Sequence, residues 1–286
     1  MSAAQKFIST PNGKIAVRDS VDGDFPVLML HGSGASGKVF GKQFDSDLAE
    51  RFRLIAIDLP GHGESDDASN VDGYGLPGLA DTIETVIEAL GLRQMVMFGW
   101  SLGGHVAIEL LARHATISGL MLTGAPPVSK GPLGMLRGFH TGWDMLLASK
   151  VNFTERDAVH FARMCFGDDP PAAFIADIRR ADGRCRARFV RSMMAGDGAD
   201  QRRTLENMPV PVAMVAGESE KIIRVPYLSS LAYPMLWGDK VQMVEGAGHS
   251  PFWQNPHRFN LLLGRFAGEV ARLAAAAPAA QRVGAR

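Results

Sequence analysis

The sequence holds two cysteines, Cys165 and Cys185, in 286 residues. Two thiols cannot build a multi-bridge disulfide framework, and the absence of any Cys-x-x-Cys pair removes the usual zinc-ribbon spacing. No His-Glu-x-x-His run occurs either, which disfavours a zinc hydrolase. Charge of one sign is also lacking, with Lys+Arg 30 against Asp+Glu 30. A nucleic-acid binder would carry a basic excess. No apolar run is long enough to span a bilayer, and residues 1–10 lack the apolar core of a signal peptide. These absences point to a soluble, cytoplasmic protein with no nucleic-acid partner and no membrane span. They leave monomer and homodimer both open. What is present is 46% hydrophobic residues, enough for one large core or a core plus a subdomain.

Short apolar runs bounded by Gly or Pro suit strands buried on both faces of a parallel sheet. Such runs occur at Val27–Leu30, Arg53–Ile57, Met95–Phe98, Gly119–Thr123, Val210–Val215 and Val241–Glu245. Gln5–Ser9 and Lys14–Ser20 flank Pro11-Asn12-Gly13 and read as a hairpin. Helical patterns alternate with the strands. Leu79, Ile83, Val86, Ile87 and Leu90 form one face before a capping Gly91, and further helices are expected over Leu102–His114 and Pro256–Leu273. The predicted class is therefore α/β with a mostly parallel sheet. The rhythm breaks over 125–208, where no strand pattern occurs and amphipathic helices do. The clearest begins at Thr154, with Asp157 as capping-box partner and Ala158, Phe161, Ala162, Cys165 and Phe166 on one face. We divide the chain into a core domain, 1–124 and 209–286, and a helical cap insertion, 125–208. The Ala-rich tail beyond Arg272 is expected to fray.

Gly99-Trp100-Ser101-Leu102-Gly103 fits Gly-x-Ser-x-Gly at a predicted strand-to-helix junction. A sharp turn there lifts the serine hydroxyl above the sheet and needs glycines beside it, which makes Ser101 the candidate nucleophile. A serine needs a base. Among eight histidines, His249 follows the last predicted strand in Gly246-Ala247-Gly248-His249, where it can swing over the sheet edge. His105 and His114 read as helix residues, and His62 as a loop-holding side chain in Pro60-Gly61-His62-Gly63. The acid should follow the strand at Val210–Val215, giving the chain order Ser, acid, His. The loop there, Gly217-Glu218-Ser219-Glu220, offers two glutamates and no aspartate. Glu220 stands three residues past the glycine, where this loop presents its acid, and is favoured over Glu218. The oxyanion donors should be the N–H of Leu102 and that of Ser33, in the loop His31-Gly32-Ser33-Gly34 after an earlier strand. A serine-based hydrolytic site, for which these motifs argue, needs no cofactor and acts on a small molecule.

These motifs resemble the α/β-hydrolases in order and spacing, from about Phe7 to Phe266. Asp58-Leu59-Pro60-Gly61-His62-Gly63-Glu64-Ser65 belongs to the same resemblance. More narrowly, the chain resembles the α/β-hydrolase-type N-acyl-homoserine lactonases. Gly13-Lys14-Ile15-Ala16-Val17-Arg18, Phe98 through His105, Gly119 through Val128 and Thr154-Glu155-Arg156-Asp157 carry that likeness. The resemblance implies a serine hydrolase that opens the lactone ring and uses Glu as its acid, which supports Glu220. Quorum quenching is the biological role it implies.

The insertion is rich in Phe, Trp and Met, and some of these side chains are expected to line a pocket above Ser101. Gly32, Trp100, Phe139, Trp143, Phe161 and Met194 are the expected lining residues. Such a pocket suits a linear acyl chain, and suits a simple ester equally. Rival readings are a general carboxylesterase, an acylase cutting the amide of the same signal, a carbon–carbon bond hydrolase and a ligand-binding, receptor-like relative. A haloalkane dehalogenase would carry Asp where Ser101 stands.

Overall fold

A computed structural model describes residues 3–113 and 116–276, without the side chains at 143–145. One eight-stranded sheet runs through it. Its strands are β1 (Ala4–Thr10), β2 (Gly13–Asp19), β3 (Pro26–Leu30), β4 (Arg53–Ile57), β5 (Met95–Trp100), β6 (Ile117–Thr123), β7 (Val212–Gly217) and β8 (Gln242–Val244). Their spatial order is β1-β2-β4-β3-β5-β6-β7-β8. β1 and β2 form the expected hairpin, and β2 pairs antiparallel with β4. The remaining pairs are all parallel, as fully apolar strands joined by helical crossovers require.

Alternate residues of each central strand feed opposite faces. Leu28, Leu30, Ile55, Ile57 and Met97 enter one buried cluster with Leu79, Ile83 and Val86 of the helix Leu76–Ala89. Val27, Met29, Leu54, Ala56 and Phe98 enter the other, against Phe259, Leu263 and Phe266 of the long helix Pro256–Ala276. β5 runs on to Trp100, two residues further than the apolar run suggested, so the strand delivers the chain directly to Ser101. The following helix ends at Leu111, and His114 and residues 277–286 lie outside the described residues.

Between β6 and β7 the described residues carry five α-helices: Pro132–Gly138, Glu155–Phe166, Ala172–Arg180, Gly183–Ala195 and Gln201–Asn207. The Glu155–Phe166 helix starts with the predicted reciprocal cap. Thr154 N–H donates to Asp157 Oδ2 at 2.7 Å, and Asp157 N–H donates to Thr154 Oγ1 at 3.2 Å. Its predicted apolar face is buried throughout. Polar bonds fix these helices to the sheet loops. Ser36 Oγ donates to Asp177 Oδ2 at 2.6 Å, Tyr74 OH to Asp182 Oδ2 at 2.6 Å, and Arg180 Nη2 to the Ser65 carbonyl at 2.6 Å. Among the described residues no helix is long and apolar enough to cross a membrane.

Candidate active site

Ser101 sits between β5 and the helix Leu102–Leu111 with φ 52° and ψ −119°. That conformation is costly for any residue with a Cβ and persists only when its surroundings enforce it. Here the enforcement is direct. Ser101 N–H donates to the Thr123 carbonyl at 3.0 Å, and Gly103 N–H donates to the His31 carbonyl at 3.1 Å. A Cβ on Gly99 would run into the Gly104 backbone, and one on Gly103 into the backbone of Leu30 and His31. The glycines are therefore a packing requirement of the turn.

His249 Nδ1 lies 2.8 Å from Glu220 Oε2, and both side chains are sealed from solvent. The second Glu220 oxygen accepts the Ile222 N–H at 2.7 Å. Burial alone would raise the Glu220 pKa. The facing His249 and the N–H groups of Ile222 and Ile223 outweigh it and hold the carboxylate below its usual range. Glu218 is exposed, and Glu220 is the glutamate that meets the imidazole. The histidine loop is anchored on both sides. Trp100 Nε1–H donates to the His249 carbonyl at 2.9 Å, and Ser250 Oγ donates to the Cys165 carbonyl at 2.8 Å. The imidazole lies over Gly124 (φ 65°), where a Cβ would collide with the ring.

Ser33 and Leu102 both line the cavity that holds Ser101 and His249. Neither backbone N–H donates to a partner among the described residues, which leaves both available to an oxyanion. Their loop is held by His31. Its Nδ1–H donates to the Gly32 carbonyl at 2.8 Å, and its Nε2 accepts the Leu59 N–H at 2.9 Å. Burial keeps this ring neutral by lowering its pKa. His62, in the neighbouring turn, holds the Pro60 carbonyl at 3.0 Å from Nδ1.

The cavity measures about 90 Å³. Trp100, Phe139 and Phe161 line it, joined by Met135, Met164, Phe189 and Ile222. Gly32 does not line it, which corrects the expectation: a glycine has no side chain to present, and a Cβ there would meet the Trp100 ring and the Ser101 Cβ. The Trp143 side chain lies outside the described residues. Met194 is a correction: it is 43% exposed and does not line the cavity. Phe189 points the Gly183–Ala195 helix at the cavity, and five residues further on the helix has turned roughly 140° towards solvent. The sequence reading also missed His105, whose ring lines the cavity although its helix gave no sign of it.

Comparison with known proteins agrees with this architecture. The model of the alpha/beta hydrolase family matches residues 27–260. A solved structure of the N-acyl homoserine lactonase AidH, complexed with N-hexanoyl homoserine lactone, is 37% identical with a TM-score of 0.91. The match covers 94% of this chain and 99% of that one. The pimeloyl-[acyl-carrier protein] methyl ester esterase of Aeromonas hydrophila is 27% identical, over 85% of this chain and 95% of its own. The AB hydrolase superfamily protein YisY of Bacillus subtilis is 25% identical, over 84% and 91% respectively. With its elbow, its buried Glu–His pair and a family match over most of its length, the chain belongs to the alpha/beta hydrolase family.

Proposed function

We propose that the protein is a serine hydrolase of carboxylic esters that opens the lactone ring of N-acyl homoserine lactones. The observation that carries this reading is that Ser101 and His249 share one largely apolar cavity, with Glu220 buried behind the imidazole. The likeness to AidH over nearly the whole chain supports the lactone as substrate. Residues 125–208 act as the cap that supplies the apolar wall, through Phe139, Phe161 and Phe189.

Ser101 Oγ attacks the lactone carbonyl while His249 Nε2 takes its proton. Glu220 stabilises the imidazolium, and the N–H groups of Leu102 and Ser33 hold the oxyanion. Collapse breaks the ring C–O bond, and His249 returns the proton to the departing alkoxide. That alkoxide remains attached to the acyl group, so the serine ester carries the whole substrate. Water deprotonated by His249 then attacks this ester, frees Ser101 and releases the N-acyl homoserine. Mass spectrometry of the products tests the reading. Ring opening adds one water to the intact N-hexanoyl homoserine lactone, whereas release of hexanoate would replace it with amide cleavage.

A further inference from the structure

The triad leaves His105 unused, yet its ring lines the same cavity as Ser101 and is 2% exposed. Its tautomer can be read from its partner. His105 Nδ1 lies 2.7 Å from Gln201 Oε1. Gln201 Nε2 is directed at acceptors, the His105 carbonyl at 3.4 Å and Met193 Sδ at 3.9 Å, so the amide oxygen is the atom that meets the imidazole. An amide oxygen accepts and never donates, so Nδ1 carries the proton and Nε2 a lone pair. Nε2 has no hydrogen-bond partner among the described residues, and the ring that carries it lines the cavity. Phe139 and Phe189 flank the ring at 5.8 Å each and hold its plane. Burial lowers its pKa to about 4, so the lone pair persists at neutral pH.

A buried acceptor in an apolar wall calls for a donor from whatever fills the space. We infer that His105 Nε2 accepts the amide N–H of the acyl chain, which makes His105 a specificity-determining residue for secondary-amide lactones over plain esters and alkyl lactones. This rests on the reading of the substrate given above. The spacing suits it: the amide nitrogen is bonded to the carbon next to the reacting carbonyl, and His105 stands just over one helical turn beyond Ser101, four residues and about 6 Å of rise.

The test compares N-hexanoyl homoserine lactone with its carba analogue, in which CH2 replaces the amide N–H, alongside p-nitrophenyl acetate. The wild-type protein should favour the N–H substrate by about tenfold in kcat/KM, and His105→Phe should bring the ratio near one. Should that variant not fold, ¹⁵N NMR of the His105 ring in Ser101→Ala reads the same contact. The Nε2 signal should move upfield with the N–H lactone and stay in place with the carba analogue. Equal turnover of both lactones, a preference that survives His105→Phe, or an unmoved Nε2 signal overturns the role of His105 alone. Turnover of p-nitrophenyl acetate with neither binding nor opening of the lactone overturns the lactonase reading, and this role with it.

Discussion

Glu220 divides its two oxygens between the imidazole and the backbone: Oε2 meets His249 Nδ1 at 2.8 Å, and Oε1 takes the Ile222 N–H at 2.7 Å. The second bond stops the carboxylate from rotating, so the first fixes both the tautomer and the orientation of His249. Glu220→Gln should therefore lower kcat on the order of 10⁴-fold, the scale of an acid-to-amide change in a serine triad. Glu218→Gln, on the exposed side of the loop, should change kcat less than about threefold, as expected for a surface site away from the chemistry. Steady-state kinetics of both variants on one ester check the pair.

The backbone at Ser101 is held in a costly conformation, with φ 52° and ψ −119°. Ser101→Gly should abolish turnover while raising stability by about 1 kcal/mol, because glycine accepts a positive φ without a Cβ clash. Ser101→Ala should abolish turnover with no such gain. Denaturant melts of the three proteins decide this, and equal stabilities would show the turn to be unstrained.

Three buried histidines should make the protein acid-sensitive well above the carboxylate range. Burial lowers the pKa of His62 to about 3 and of His105 to about 4, and lowers that of His31 as well. In the unfolded chain each titrates near 6.5. Below that pH the unfolded state binds more protons, so stability falls as pH drops from about 6.5 towards 4. Each histidine contributes at most about 1.4 kcal/mol per pH unit. His62→Asn should remove one proton's worth of that slope in melts between pH 7 and 4.5.

How much of this was legible beforehand divides along physical lines. β3 to β7 show themselves as short apolar runs because strands buried on both faces need no polar alternation. Ser101, Glu220 and His249 are visible because each occupies the loop after a strand, in fixed chain order, with the glycines that tight packing requires. The cavity wall was less legible. Periodicity identifies the face a helix buries but not the surface it meets, so Phe161 and Met194 looked alike, yet one lines the cavity and the other faces solvent. His105 was hidden for a different reason. Every residue from Leu102 to Leu111 is buried, leaving no polar face to contrast with, and its partner Gln201 is 96 residues away. The Trp100 bond to the His249 carbonyl is likewise a long-range contact that no local pattern announces.

The aromatic wall makes a prediction about chain length. Each methylene buried against Phe139, Phe161 and Phe189 is worth at most about 0.8 kcal/mol, so KM should fall by up to roughly fourfold per added carbon until the cavity fills. Because these contacts are equal in ground and transition states, kcat should change far less. Phe161→Ala should flatten the series. A wild-type series without slope would remove the acyl chain from this cavity.

Attack of Ser101 on the lactone carbonyl leaves a covalent intermediate that reports the proposed mechanism directly. Acid-quenched reactions with N-hexanoyl homoserine lactone, read by intact-protein mass spectrometry and peptide mapping, should show an adduct on Ser101 equal in mass to the entire substrate. That mass follows because ring opening keeps the leaving alkoxide attached. An adduct equal to the hexanoyl group alone would mean amide cleavage, and an adduct on any residue other than Ser101 would contradict the mechanism.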